Sequence, residues 1–398
     1  MNTQLEASIL ELTQRLVSLP SRAGIDDYGP VFSLLAGWLG DRGIPCRQLA
    51  GADGRPIVLV AEVAGGPGPH YWLNTTIDTA GFGDEAAWSL PPTAALVRDG
   101  WLYGRGSADS KAGAAIFCHV AAELFARRSS LAGTLKLVFD GDEHTGTFAG
   151  IERALASEGR EHLAGVYLGY PGFDKLGIGG RGFERATIAV HGQAAHSGSS
   201  SRRGVNAVSA AARLVQLLEA QPLPAADRND QADGGFPLPP ALTVTGLSGG
   251  HGFSEVPDLC ELRVDLRLTP RFGRAEARAL VAAAVARLPA ERLPGGGAAH
   301  AEIAWIPGWP AYHLPPHSRL AGALFDAAAA ILPRPLQPAV VGPSNIANLL
   351  AQQGIEATCG FGVAYRNAHA TDEAIEIATL LPVYQVYLRA VEVLLSKT

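Results

Sequence analysis

Cysteine is scarce and scattered. Cys46, Cys118, Cys260 and Cys359 are the four in 398 residues, and no two show a C-x-x-C spacing. A disulfide scaffold and a cysteine-held zinc module are therefore not expected, and reduced thiols in a cytoplasmic protein are. Basic charge is also in short supply. Lys and Arg number 32 against 38 Asp and Glu, a net charge of −6, with no basic block and no Lys/Arg stripe interleaved with aromatics. This speaks against a nucleic-acid partner and against an anionic-membrane surface. No apolar run reads as long enough to span a bilayer, and Met1-Asn2-Thr3-Gln4-Leu5-Glu6 lacks the basic stretch and apolar core of a signal peptide. Gly (47) and Pro (27) are spread as loop punctuation with no repeat period, so a solenoid or propeller is not expected either.

What is present suits a large core. At 47% hydrophobic residues, the length allows two domains. Apolar spacing predicts helices over Leu5–Leu16, Pro30–Asp41 and Ala114–Ala126, and strands over Pro56–Ala64, Tyr71–Thr79, Thr134–Phe139 and Val166–Tyr170, with a turn at Gly65–Pro69. Strands alternating with helices predict an α/β domain with functional groups beyond the strand C-termini. From about residue 185 the pattern changes. Strands at Arg185–Gly192, Ala241–Leu247, Cys260–Leu268 and Ala299–Trp305, with helices at Asn206–Leu218 and Arg274–Leu288, give a β-α-β-β-α-β order. The expectation is a mixed-sheet catalytic α/β domain over 1–184 and 308–398, interrupted over 185–307 by an α+β, ferredoxin-like domain. Helices at Ser318–Leu332 and Leu380–Leu395 close the chain.

The chemistry centres on Tyr103-Gly104-Arg105-Gly106-Ser107-Ala108-Asp109-Ser110-Lys111-Ala112-Gly113, a small-residue loop presenting one carboxylate, Asp109, at a helix entrance. Two other stretches have the composition to meet it: Phe139-Asp140-Gly141-Asp142-Glu143-His144-Thr145-Gly146 and Asn367-Ala368-His369-Ala370-Thr371-Asp372-Glu373. We expect Asp109, His144 and His369 to close on one metal ion, with Glu143 beside it as a base. Two histidines and a carboxylate with an open position make a catalytic zinc arrangement and equally a non-haem iron triad, so another divalent metal fits the same residues. Gly104-Arg105-Gly106 is half of a nucleotide-binding loop, but the full phosphate-binding pattern is absent.

These motifs carry a resemblance. Asp78-Thr79 after a strand, the Asp109 loop, Asp142-Glu143, Ala195-His196-Ser197-Gly198, Gly204-Val205-Asn206-Ala207, Asp265-Leu266-Arg267, and His369 before Asp372-Glu373 occur in one order along nearly the whole chain. Together they resemble the co-catalytic zinc peptidase family of aminoacylase, acetylornithine deacetylase, succinyl-diaminopimelate desuccinylase and glutamate carboxypeptidase. The resemblance implies a catalytic domain interrupted by a lid domain that forms a homodimer, and a two-zinc site. It implies that Asp109 bridges the metals, that Glu143 is the general base, that His369 is a late ligand, and that His196 of the lid, reaching the reaction centre usually in the partner subunit, stabilises the oxyanion. Asp78 would orient a histidine ligand.

This chain departs from that pattern at the metals. Thr76 stands where the family has a histidine ligand and Tyr170 where it has an acidic one. Those two residues and the bridging aspartate would hold one zinc, which here keeps one protein ligand. His144 replaces the carboxylate ligand of the other zinc and preserves a ligand there, because neutral imidazole binds Zn²⁺ well. One zinc ion per chain is therefore expected, with Thr76 and Tyr170 as hydrogen-bond donors to substrate and Asp78 left as a strand-end or capping residue. For substrate, Arg267 is a candidate partner for a carboxylate. Ser254 replaces the family's asparagine in Gly249-Gly250-His251-Gly252-Phe253-Ser254, and Asn345 lies in the loop Gly342-Pro343-Ser344-Asn345 near the expected pocket. Arg267 reads equally as an ion-pair partner of Asp265. The expected function is metal-dependent hydrolysis of an amide in a small N-acyl amino acid or peptide-like substrate. Two alternatives share the scaffold: non-hydrolytic chemistry (acyl transfer, cyclisation or lyase cleavage) and a catalytically silent binding protein, whose mark would be loss of the base or of every ligand.

Overall fold

The strand Ala132–Asp140 is buried along almost its whole length, which a strand covered on both faces must be. In the computed structural model, which describes residues 2–200, 204–226, 235–290, 297–315 and 317–397, it lies inside a six-stranded sheet. The order is Cys46–Ala50, Pro56–Ala64, Ala132–Asp140, Gly66–Thr76, Leu163–Leu168, Ala357–Thr358. The first two strands run antiparallel to their neighbours. The other pairings are parallel, so the sheet is mixed. Thr76 is paired with Asp140, and Asn74 with Leu168. Three parallel strands therefore end along one edge, and the residues that follow them emerge side by side. Asp78, Glu143, His144 and Tyr170 are among those residues, on the edge where open α/β sheets place their ligands.

The segment Gly65–Pro69, expected as a turn, is mostly the beginning of the strand Gly66–Thr76. The flanking strands do not form a hairpin. Both flank Ala132–Asp140, with Ala64 opposite Thr134 and Gly66 opposite Ala132. The chain wraps the start of that strand so closely that a Cβ on Gly65 would stand 2.7 Å from the Gly133 carbonyl oxygen.

A smaller four-stranded sheet is built from Leu96–Arg98, Trp101–Tyr103, Ala374–Glu376 and Tyr365–Arg366. Helix Leu380–Leu394 buries Leu380, Val383, Tyr387, Val391 and Leu394, a three-and-four spacing that gives it one apolar face. Each such side chain is worth about 1.5–3 kcal/mol when fully buried. Among the described residues, Ile377–Leu394 is long and apolar enough to cross a bilayer by length and composition, contrary to the expectation of no such run. Half of that stretch is buried inside the fold, where it packs with Phe117, Tyr167 and Phe361, so it is a core helix here.

By its internal packing the chain divides into two units: Met1–Ile178, Leu314–Ala339 and Asn345–Thr398 form one, and Gly179–His313 with Val340–Ser344 the other. The second unit carries an antiparallel sheet in the order Ala241–Gly249, Leu259–Leu268, Gly182–His191, His300–Ile306. Helices Ala207–Glu219 and Arg274–Arg287 share its core with Ala186, Ile188, Val190, Leu262 and Leu266. Strand alternation sends Arg185, Thr187, Ala189 and His191 to the opposite face. In chain order this is β-α-β-β-α-β, the α+β arrangement that the sequence predicts.

Candidate metal centre

Asp109 and His369 are 260 residues apart and are brought together by the smaller sheet. Tyr103 is the register partner of Ala374, so the loop leaving one strand runs beside the loop entering the other. The Gly104 N–H donates to the Glu373 carbonyl at 2.9 Å. The Glu373 carboxylate is buried, pairs with Arg105 at 2.6 Å, and accepts the N–H groups of Ala108 (2.9 Å) and Asp109 (3.3 Å). Gly106 turns the loop with φ +79, and a Cβ there would meet Thr79 Cγ2 at 2.5 Å. On the other side His369 has φ 64, between Asn367 (φ 56) and Asp372 (φ 57). Left-handed backbone is costly for residues other than glycine and clusters at functional sites. The Asp372 carboxylate holds this loop by accepting the Ser89 N–H at 2.8 Å and its hydroxyl at 2.5 Å.

His144 completes the group. Its Nε2 lies 3.3 Å from His369 Nε2 and 3.7 Å from Asp109 Oδ2, and His369 Nε2 lies 2.9 Å from the same oxygen. Ligands about 2.0–2.1 Å from a tetrahedral zinc stand roughly 3.3 Å apart. The three observed separations bracket that value, so these donors fit one small cation. Two imidazole nitrogens this close to each other cannot both point a proton inward, whereas a shared cation satisfies both lone pairs and the carboxylate. Burial pushes the Asp109 carboxyl up, but hydrogen bonding to His144 and His369 outweighs it and holds the group well below the usual carboxylate range.

Asp78 has a larger part than a strand-end residue. It is fully buried and accepts the backbone N–H groups of Glu143 (3.2 Å) and His144 (2.9 Å). Its Oδ2 also lies 3.3 Å from His144 Nδ1, close enough for charge attraction though not aligned as a hydrogen bond. A carboxylate behind a ligating imidazole orients the ring and raises its basicity. Asp78→Asn is therefore expected to weaken metal affinity by about 10–100-fold, measured by competition with a chelator. A second expectation concerns protons. Burial pulls the His144 imidazole down, and the Asp109 and Asp78 carboxylates more than reverse this, carrying it up to about 11. Metal-free protein thus holds a proton on His144 at neutral pH, and ligation must expel it. Apparent metal affinity should rise with pH below that value, and calorimetry in buffers of different ionisation enthalpy should read about one proton released per ion.

Glu143 borders the same cluster. Its Oε2 is 3.4 Å from His144 Nδ1, and its Oε1 accepts the Tyr170 hydroxyl at 2.9 Å. Burial, and then the Asp109 charge, raise its carboxyl to about 7. Thr76 is fully buried, and its hydroxyl lies 3.3 Å from Ser110 Oγ. Ser110 Oγ in turn donates to Asp109 Oδ1 at 2.8 Å. The Asp109 oxygen turned away from the histidines is thus engaged by a hydroxyl, a contact that serine, adjacent in the chain, gives no sign of in the sequence.

The remaining candidates make contacts of their own. His196, in the second unit, pairs in register with Glu255, and its Nδ1 accepts the Gly198 N–H at 3.0 Å. A neutral ring held this way carries its proton on Nε2, as a donor. The Ser254 carbonyl accepts the Ser197 N–H at 2.9 Å, tying its loop to the His196 turn. Arg267 is paired with Asp265 at 2.8 Å, and Arg185 holds the other carboxylate oxygen at 2.9 Å. Asn345 caps helix Ile346–Gln352: its Oδ1 accepts the Ala347 N–H at 2.9 Å, and its own N–H donates to Asn348 Oδ1 at 2.9 Å.

Comparison with known proteins gives the same family that the motifs resemble. The family model described as peptidase family M20/M25/M40 matches residues 72–393. A succinyl-diaminopimelate desuccinylase of Cereibacter sphaeroides is 29% identical over 392 residues, covering 95% of this chain and 96% of the relative. One from Parvibaculum lavamentivorans is 32% identical over 197 residues, 47% of this chain and 49% of its own length. Among solved structures, aminopeptidase PepT from Bacillus cereus superposes with a TM-score of 0.75 at 19% identity, over 97% of this chain and 98% of that one. A dinuclear metal-binding peptidase from Bacillus subtilis gives 0.73 at 16% identity, over 99% of both chains. These two likenesses establish the fold.

Proposed function

Because the chain belongs to peptidase family M20/M25/M40, and so is a metal-dependent hydrolase of amide bonds, we propose that it works with a single metal ion held by Asp109, His144 and His369. The observation that carries this reading is the size of the donor triangle, 2.9, 3.3 and 3.7 Å on its edges. A second supports it: Asp109 Oδ1, the oxygen free to bridge to another cation, is spoken for by Ser110, which is backed by Thr76. Zinc suits two imidazoles and a carboxylate. When bound, the cation supplies Lewis acidity toward the scissile carbonyl and lowers the pKa of water.

The protein's own groups do the rest. Glu143, poised between its two protonation states, takes a proton from water and delivers it to the departing nitrogen. The Tyr170 hydroxyl keeps the carboxylate aimed while it does so. In this reading Thr76 acts through Ser110 and Tyr170 through Glu143, and their donors are directed at protein groups rather than at substrate. His196 offers Nε2–H to the developing oxyanion, an interaction whose loss commonly costs ~2.7–4 kcal/mol. Arg267, half committed to Asp265, presents its remaining donors to a substrate carboxylate. Ser254 shapes the loop beside His196, and Asn345 contributes by fixing the helix it caps. The substrate class is a small N-acyl amino acid or peptide-like amide, and the relatives' name adds N-succinyl amides to the compounds worth assaying. The second unit is the surface for a homodimer, and the four free thiols favour a reducing compartment, the cytoplasm.

Metal analysis with hydrolysis of a panel of N-acetyl and N-succinyl amino acids and dipeptides tests this. One tightly held ion per chain and turnover of at least one amide are expected. Two ions per chain would overturn the single-ion reading, and a bound ion with no hydrolysis would turn it toward non-hydrolytic chemistry.

A further inference from the structure

On the face of the second unit's sheet opposite its helices lies another group of side chains of the types that ligate metals. His191 ends the strand Gly182–His191 and His300 begins the edge strand His300–Ile306; the two are direct register partners. Their rings stack with centroids 4.8 Å apart and planes within 15°. Glu302, two residues beyond His300 and so on the same face, brings a carboxylate to the group. One ligand atom from each of the three lies within 4.8 Å of the other two. The residue opposite Glu302 is Ala189, too small to crowd the space between the strands. His191 Nε2 is buried, with no hydrogen-bond partner. His300 and Glu302 are exposed, and neither is engaged in an ion pair among the described residues.

From this we propose a second cation site, separate from the catalytic one: His191, His300 and Glu302 bind a divalent transition metal such as Zn²⁺ or Ni²⁺. Two stacked imidazoles repel if both are protonated, and a shared cation removes that repulsion by taking a lone pair from each ring. Imidazole and a single carboxylate select borderline metals over Mg²⁺ or Ca²⁺, which require oxygen-rich shells. The ladder fixes the backbone on both sides of the site. The exposed side chains of His300 and Glu302 need only rotate to tighten the ligand span to about 3.3 Å, the spacing around tetrahedral zinc. The bond would staple the edge strand, which among the described residues has a neighbour on one side only, to the strand beside it. The expected consequence is stabilisation of the second unit with no change at the hydrolytic centre.

The test counts ions on the full chain loaded with its catalytic metal. Titration with Zn²⁺ and, separately, Ni²⁺ should show one further ion per chain and a rise in melting temperature with metal. The variant His300→Ala/Glu302→Ala should lose that ion and that rise while keeping its amide hydrolysis and one resident ion. His144→Ala/His369→Ala should do the reverse, losing the catalytic ion and retaining the second, which separates this site from the reading of the first. His191→Asn provides a third check, because it deletes the buried ligand while keeping a polar side chain. The proposal is overturned if the further ion persists in His300→Ala/Glu302→Ala, or if wild type takes up none beyond the catalytic one.

Discussion

Glu143→Gln is expected to lower kcat by on the order of 10²–10⁴-fold, the usual contribution of a positioned general base, and to leave the metal content of the protein unchanged. Glu143 and His144 are adjacent in the chain but face different partners. His144 turns Nε2 toward Asp109 and His369, whereas Glu143 is directed at Tyr170 and at the far side of the His144 ring. Gln keeps the volume of Glu143 and can still accept from the Tyr170 hydroxyl, so the loop should hold. What is lost is the ability to take a proton. The pH profile should show the same thing. Burial and the Asp109 charge bring the Glu143 carboxyl to about 7. A raised acid must ionise before it can act as a base, so wild-type activity should fall as pH drops through that region, and a bound cation would move the fall to lower pH. The residual activity of Glu143→Gln should lack that limb. Loss of the ion in Glu143→Gln would make Glu143 a ligand, and retention of full activity would deny it the role of base.

The architecture was legible because it rests on periodicity. Period-two strands such as Arg185–Gly192 and helical runs such as Ala114–Ala126 point to buried faces, and burial dominates folding. Elements that burial does not dictate were missed. Helix Ala149–Glu158 starts behind Phe148, at φ 57 and with no cap from its own side chain, and its first N–H is taken up by Asp142, seven residues back, so no local start signal stands before it. Strand Cys46–Ala50 has no β-branched residue and no buried position to alternate. At the site, Asp109, His144 and His369 stood out by residue type. Their neighbours did not, because their parts depend on register. Asp78 reaches His144 because Thr76 is level with Asp140 across the sheet. Glu373 fixes the Asp109 loop because Ala374 is level with Tyr103. Asn345 carried the N-cap signal of the helix that follows, a local role that competes with any part at the substrate.

If the chain holds one ion, as proposed, because the family's other ligand types are missing, returning them should recruit another, and Thr76→His/Tyr170→Glu is expected to raise the metal content from one to two ions per chain. Thr76 ends its strand, and Tyr170 lies two residues past the end of the neighbouring parallel strand, where Leu168 is level with Asn74; Thr76 already touches the residue that engages Asp109 Oδ1. An ion seated there would compete with the Ser110 hydroxyl for that oxygen. A carboxylate–cation contact should win, since Ser110 can rotate to another acceptor. The obstacle is packing. Thr76 is fully buried, and a larger side chain in a filled core costs about 1–3 kcal/mol. Replacing the Tyr170 ring by Glu returns volume nearby, and an ion at 100 times its Kd stabilises the folded state by about 2.7 kcal/mol. The two effects are of one size, so the double variant should melt lower than wild type in chelator and recover when zinc is added. Either substitution alone supplies one new ligand and should stay at one ion. A double variant that folds, recovers nothing with zinc and still holds one ion would mean that the hydroxyl pair does not occupy a cation's seat.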